Sequence, residues 1–137
     1  MSRARRGAIA IAASVGLLLA AAAPAMAGDV ATSSASKSPV GDWQTRTNGV
    51  KQTITFTKDG EVFGDSGCNR FTGGYETGND GAITIGPLAT TLMMCQENVM
   101  NAEATFLVRI QAAVAYNATA KRLQIFAPKD LVTFRKA

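Results

Sequence analysis

Polar and apolar residues alternate without error over Thr53-Ile54-Thr55-Phe56-Thr57. A period of two puts successive side chains on opposite faces of a strand, so Ile54 and Phe56 are expected to face a core. Lys58-Asp59-Gly60 then turns the chain and Glu61-Val62-Phe63 returns along it; Asp-Gly between apolar runs is a strong hairpin signal. Arg70 to Thr77 reads as the next strand, with Phe71 and Tyr75 as its apolar residues and Gly73-Gly74 marking a bulge or sharp bend. Gly78-Asn79-Asp80-Gly81 is a further turn, Ala82-Ile83-Thr84-Ile85 a further strand, and a short extended piece follows Pro87 and ends near Met93. Trp43, the largest candidate core residue, lies in a first strand ahead of these.

The period then changes. From Asn98 to about Ala112 there is no Gly or Pro, and Phe106, Leu107 and Ile110 recur at helical spacing, with Val99 and Val114 near the same side. The pattern predicts one amphipathic helix of about four turns. Three more strands follow, over Ala113 to Tyr116, Leu123 to Phe126 and Leu131 to Arg135. Each strand has a single apolar face, which excludes a parallel sheet buried on both sides. The fold class is mostly β: a small antiparallel barrel or half-barrel of about eight strands, with one helix inserted before the last three and plugging an open end.

Ahead of this pattern the chain is organised differently. Arg3, Arg5 and Arg6 precede an apolar run from Ala8 to Ala23, Pro24 breaks it, and Ala25-Met26-Ala27 supplies small residues at the positions that signal peptidase reads. Residues 1–27 are expected to be a secretory signal cleaved between Ala27 and Gly28. The apolar run is short for a membrane span, and no Cys near the cleavage site could accept a lipid. Residues 28–39, small and polar without periodicity, read as a flexible linker, and residues 40–137 as one domain. The expected location is periplasmic or secreted, with no stable membrane anchor after cleavage.

Charge changes the picture only after that division. The full chain carries 14 basic and 10 acidic residues, a net +4, but three of the basic residues are the leader arginines. The domain is close to neutral, and no nucleic-acid partner is expected.

Candidate chemistry centres on Gly64-Asp65-Ser66-Gly67, the letters around the nucleophile of chymotrypsin-like proteases. Such a serine needs a histidine to take its proton, and the chain has none. No lysine stands in a recognisable dyad motif with Ser66. Gly64, Asp65, Gly67 and Asn69 are turn formers, so a structural turn is the better reading. Metal sites built on histidine are impossible, no phosphate-binding Gly-rich loop opens the helix, and no catalytic residue, cofactor or metal is expected. Met93-Met94 beside Cys95, with Met100 further on, could suggest soft-metal binding, but core filling is the commoner role.

Cys68 and Cys95 are the only cysteines, and both fall in the segment expected to be exported. One bridge between them is the sole intramolecular connectivity, and a structural disulfide is favoured over a reactive pair. Phe63, Phe71, Leu92 and Met94 are expected to surround it with apolar side chains.

The stretches "GDSGCNRFTGGYE", "ITIGPLATTLMMC", "EATFLVRI", "LQIF" and "LVTF" together resemble the META domain of the HslJ-like heat-shock proteins. In that pattern a Ser-Gly-Cys-Asn core is followed by an aromatic residue and Gly-Tyr, matched here by Ser66, Gly67, Cys68, Asn69, Phe71, Gly74 and Tyr75. A second block matches at Ile85, Gly86, Leu88, Ala89, Thr90, Met93 and Cys95, and a Glu, here Glu103, then opens the helix. The resemblance covers roughly Val40 to Arg135. It implies a small, mostly β, barrel-like domain of the cell envelope, associated with heat shock and novobiocin tolerance, and it implies no enzyme. Several relatives are lipoproteins, from which this leader departs.

The expectation is therefore a non-enzymatic stress-response or binding module, whose candidate contact surface is a loop at Ser66, Asn69 and Arg70 that a disulfide preorganises; the structural alternative, slightly favoured, is that Asn69 and Arg70 merely close the turn and pair with a nearby acid. Its partner would be an envelope protein or a small apolar ligand, and the chain a monomer. The alternatives are an inhibitor of a lysozyme or protease, or a carrier of an apolar ligand. A filled barrel would favour the protein partner and a hollow one the carrier.

Overall fold

The computed structural model describes residue 16 and residues 37–137; the expected leader, its cleavage site between Ala27 and Gly28, and the linker up to residue 36 lie outside the described residues. The described chain forms eight strands, one helix and a single 3-10 turn at Asn79–Gly81. In chain order the elements are β1 (Gly41–Thr47), β2 (Val50–Phe56), β3 (Glu61–Asp65), β4 (Arg70–Thr77), β5 (Ile83–Thr90), α1 (Glu97–Gln111), β6 (Ala115–Ala118), β7 (Arg122–Ala127) and β8 (Asp130–Lys136).

All eight strands belong to one antiparallel sheet of order β5-β4-β3-β2-β1-β8-β7-β6. Two meanders, β1 to β5 and β6 to β8, are therefore joined side by side where β8 pairs with β1. The sheet curls into a half-barrel until its edge strands approach one another. There Ala82 bridges to Ala115, and the Ile83 amide donates to the Val114 carbonyl at 3.2 Å. α1 is the connection between the two edges.

The alternation read over residues 53–57 holds: Ile54 and Phe56 are buried on β2. Their neighbours on the concave side include Trp43, Val62, Phe71, Leu123, Ile125 and Phe134. α1 lays Ala102, Phe106 and Ile110 into this concavity. Phe106 lies 5.9 Å from the Phe71 ring and 6.2 Å from the Phe134 ring, so one helical residue ties β4 to β8. Burying a side chain of this size contributes about 2–3 kcal/mol. Glu97 in the first turn and Arg109 in the last complement the helix dipole, and Arg109 forms an ion pair with Asp130 at the start of β8.

Two glycines are required by close approach. A Cβ on Gly64 would sit 2.1 Å from the Thr53 carbonyl oxygen, and one on Gly73 would sit 2.5 Å from the Pro87 carbonyl oxygen. Gly73 also begins the expected bulge: the β4–β5 register shifts between Gly73 and Tyr75.

Several boundaries differ from the sequence reading. β5 runs unbroken through Pro87, because it is an edge strand and a missing N–H there can point away from the ladder. β6 starts at Ala115, and Val114 is exposed rather than part of the core stripe. Lys37–Pro39, expected to end the linker, are held on the domain. The Trp43 indole Nε1 donates to Pro39 O at 2.7 Å, and the Lys37 amide donates to Ala118 O at 3.1 Å. An indole N–H buried with its ring needs an acceptor, and the Pro39 carbonyl provides it.

Candidate functional site

The loop between β3 and β4 is short and polar, and α1 passes beneath it. Asp65 starts the turn by accepting the Gly67 amide on its Oδ1 at 2.8 Å, an Asx turn of the kind the sequence suggests. The next three side chains do not face solvent. Ser66, Cys68 and Asn69 are all buried, whereas Arg70 is exposed.

What they turn toward is Glu103. This residue is in the second turn of α1, not at its opening, and it is only 7% exposed. Its Oε2 accepts the Asn69 amide at 2.6 Å, the Ser66 hydroxyl at 2.7 Å and the Cys68 amide at 3.0 Å. Its Oε1 accepts Asn69 Nδ2 at 2.7 Å. Burial pushes the Glu103 carboxyl up, but hydrogen bonds from the Asn69 side chain and amide, from Ser66 and from the Cys68 amide outweigh it. The group stays below its ordinary value of 4.5. A carboxylate accepting several amides is stabilised as the anion, so the loop closes around a fixed negative charge.

Asn69 passes this anchoring on to the next segment. Its Oδ1 accepts the Met93 amide at 2.6 Å and the Thr91 hydroxyl at 2.9 Å, while Nδ2 also donates to Met93 O at 3.2 Å. Both amide hydrogens and both lone pairs of this side chain are used. Gln52, fully buried on β2, completes the floor. It accepts the Thr47 hydroxyl at 2.7 Å and donates to Ser66 O at 3.3 Å and Ala102 O at 3.2 Å. Charge-assisted bonds to Glu103 each contribute more than neutral ones, and together these residues fasten loop, helix and β2.

The disulfide lies on top of this network. Cys68 and Cys95 are joined, with Cα atoms 5.9 Å apart. The expected apolar surroundings are absent on one side. Cys68 is buried, but Cys95 is exposed, as are Leu92, Met93 and Met94. The physical reason is the bonding of Asn69 to both the amide and the carbonyl of Met93. With the backbone at Thr91 and Met93 bonded inward, the side chains of Leu92, Met93 and Met94 project into solvent. Met93 and Met94 thus do not fill a core, and Phe63 too is 43% exposed.

Of the three residues assigned to a binding loop, Ser66 and Asn69 are therefore structural, and only Arg70 has a free surface. Ser66 Oγ has two acceptors for its single proton, Glu103 Oε2 and Asn69 O at 2.8 Å. Around Arg70 the outer face of β3, β4 and β5 forms a shallow depression of about 430 Å³ lined by Phe63, Thr72, Ala89 and Thr91. Leu92 follows Thr91 directly, so the exposed loop borders this depression.

Gln52 and Thr47 are not among the sequence candidates, and Glu103 stands there only as a position of the family pattern, with no role assigned. The signal for Glu103 was available: it is three residues before Phe106 and seven before Ile110, hence on the apolar stripe of α1. Gln52 likewise precedes Ile54 and Phe56 by two and four positions, on the inward face of β2. A polar residue on a core-facing register is the mark of a buried network.

A family model described as META domain matches residues 37–137. Among curated proteins, none matches the chain. Two solved structures share the fold. An NMR structure of a protein from Burkholderia xenovorans is 23% identical with a TM-score of 0.60, covering 71% of this chain and 81% of its own. A second NMR structure is 22% identical with a TM-score of 0.54, covering 69% of this chain and 87% of its own.

Proposed function

The chain belongs to the META domain family, and from that premise we propose that it is a non-enzymatic, exported module that docks an envelope protein through the surface beside its disulfide. The observation that carries this reading is the loop of residues 91–95. Leu92 is 91% and Met94 86% exposed, yet the backbone between them is pinned by Asn69 and the bridge. Large apolar side chains held out on a fixed backbone lose little conformational freedom on binding, which is the setting in which burial converts to affinity. Arg70 and Phe63 extend the same surface.

Export is supported by the leader pattern and by the Cys68–Cys95 bridge, since disulfides persist in oxidising compartments. A non-enzymatic role is supported by the burial of Ser66 and the commitment of its hydroxyl to two acceptors. The apolar-carrier alternative is less well supported, because Trp43, Phe56, Phe106, Leu123 and Phe134 occupy the interior of the half-barrel. An inhibitor of a lysozyme or protease would use the same exposed loop. The association with heat shock and novobiocin tolerance that the resemblance implies is the physiological setting we propose.

The test places a photo-crosslinking residue at Met94 and identifies envelope proteins captured in cells, with Leu92→Asp/Arg70→Glu as the binding-deficient control. A deletion strain carrying either form is then challenged with heat and novobiocin. Capture of one protein, lost in the control together with tolerance, supports the reading. No capture, or tolerance indifferent to the substitutions, overturns it.

A further inference from the structure

Charges that nearly balance over residues 28–137 hide a local asymmetry. The strand register sets Lys51 of β2 opposite Arg46 of β1, Gln44 of β1 opposite Arg135 of β8, and Arg135 opposite Arg122 of β7. Directly opposed residues share a face, and so do Gln44 and Arg46, two apart on one strand. Four exposed cations therefore run across four adjacent strands on the solvent side of the sheet.

The same place holds a break in the ladder. β1 and β8 pair only at Trp43 with Lys136 and Gln44 with Arg135. Beyond those pairs a groove of about 470 Å³ is lined by Gln44, Arg46, Lys51, Thr133, Arg135 and Lys136. Like charges directly opposite one another destabilise a sheet, and two such pairs meet here, Arg46 with Lys51 and Arg122 with Arg135. Among the described residues the only ion pair is Arg109 with Asp130, so none of these four cations is held in one. Asp42, the acid on the same face of β1, accepts the Thr55 hydroxyl instead. One of the heads is already positioned: Arg46 Nη1 donates to Gly49 O at 2.8 Å, whereas Lys136, opposite Trp43, turns its ammonium to the Trp43 ring and away from these four.

We propose that this groove binds a phosphate-type oxyanion carrying more than one negative charge. Guanidinium forks on Arg46 and Arg135 match tetrahedral oxygens by paired hydrogen bonds, and Lys51 adds a point charge. A single carboxylate would leave most of the converging positive charge unanswered, whereas a multiply charged phosphate relieves both like-charge pairs. The site is distinct from the disulfide loop and does not depend on its docking role. The phosphate can be free in solution or presented by lipid headgroups.

The purified chain is titrated with pyrophosphate by calorimetry at constant ionic strength, and sedimented with vesicles of phosphatidylglycerol or phosphatidylcholine. Lys51→Gln/Arg135→Gln is the test variant and Lys58→Gln/Lys129→Gln the equal-charge control. Saturable binding of at least one phosphate probe is expected, weakened about tenfold or more by the test variant and unchanged by the control. Binding of pyrophosphate alone assigns a soluble ligand, and binding of phosphatidylglycerol vesicles alone assigns headgroups. Thermal unfolding of the test variant should not fall, because it removes repulsion. Binding to neither probe, or equal weakening in both variants, overturns the proposal.

Discussion

Glu103 and Asn69, 34 positions apart, hold each other by two hydrogen bonds, side chain to side chain at 2.7 Å and amide to carboxylate at 2.6 Å. Because Asn69 also grips Met93 by both its amide and its carbonyl, one helical carboxylate fixes two loops. Glu103→Gln keeps the shape but turns a donor toward donors, and Glu103→Ala leaves them without an acceptor. Either change is expected to cost about 2–4 kcal/mol, since unmade bonds to a buried charge lose the desolvation as well. The unfolding midpoint should fall by about 10 °C or more. Asn69→Asp, which sets a second carboxylate against Glu103, should be at least as damaging. A fall of no more than a degree or two in these variants would contradict the anchoring role.

The same carboxyl makes stability depend on pH in a defined direction. Its pKa when folded is below the ordinary 4.5, so folding favours the ionised form. The resulting stabilisation is present above the ordinary value and is lost as pH falls through the folded one. The stability difference between the wild-type chain and Glu103→Gln should be constant from pH 7 to about pH 5.5 and shrink below that. Denaturant unfolding of both forms across this range measures it. A difference that grew on acidification would show a carboxyl held neutral instead.

Breaking the bridge should destabilise the domain without releasing its loop entirely. Cys68 and Cys95 are 27 residues apart, and a closed loop of that length contributes about 3.5 kcal/mol in the chain-entropy model. Cys95 is exposed, so a small thiol reductant can reach the bridge in the folded state. Reduction should lower the melting temperature and leave Cys95 alkylated faster than buried Cys68. Asn69 continues to hold Met93 in the reduced protein. Equal alkylation rates, or reduction only on unfolding, would contradict the asymmetry.

Gly64→Ala should be poorly tolerated. Its new methyl would meet the Thr53 carbonyl, carbon and oxygen both within 2.8 Å, and backbone on a paired strand cannot step aside. A loss of about 2–3 kcal/mol is expected. Gly49→Ala offers the comparison: nothing lies within 4 Å, and only its φ of +83° opposes the change, for about 1 kcal/mol. Unfolding curves of the two variants rank the effects.

The strands were legible because each has one wet face: Ile54 and Phe56, or Leu123 and Ile125, repeat at the period that a half-buried sheet imposes. The helix was legible to within a residue from its freedom from Gly and Pro and from Phe106 and Ile110. The site was less so. Ser66 and Asn69 look like exposed turn residues because turns ordinarily point polar groups at water, and nothing local says that a carboxylate 34 positions away will take water's place. Leu92 and Met94 look like core residues because composition reads apolar as inside. Their exposure follows from a long-range bond made by their neighbour, which no window of sequence contains. The cationic face was concealed by summation, since its members come from four separate strands and acids elsewhere cancel them in the total.

β8 does more than finish the sheet. It pairs with β1, the first strand of the domain, and brings Val132 and Phe134 to the interior. During synthesis, β1 to β5 can form their meander while β1 still presents an open, unpaired edge. Only when Asp130–Lys136 has emerged does that edge gain its partner. Until then the growing chain exposes a template for other chains, and a product cut short before Asp130 keeps it for good. The protection of that edge thus waits on β8, long after most of the core has been spelled out.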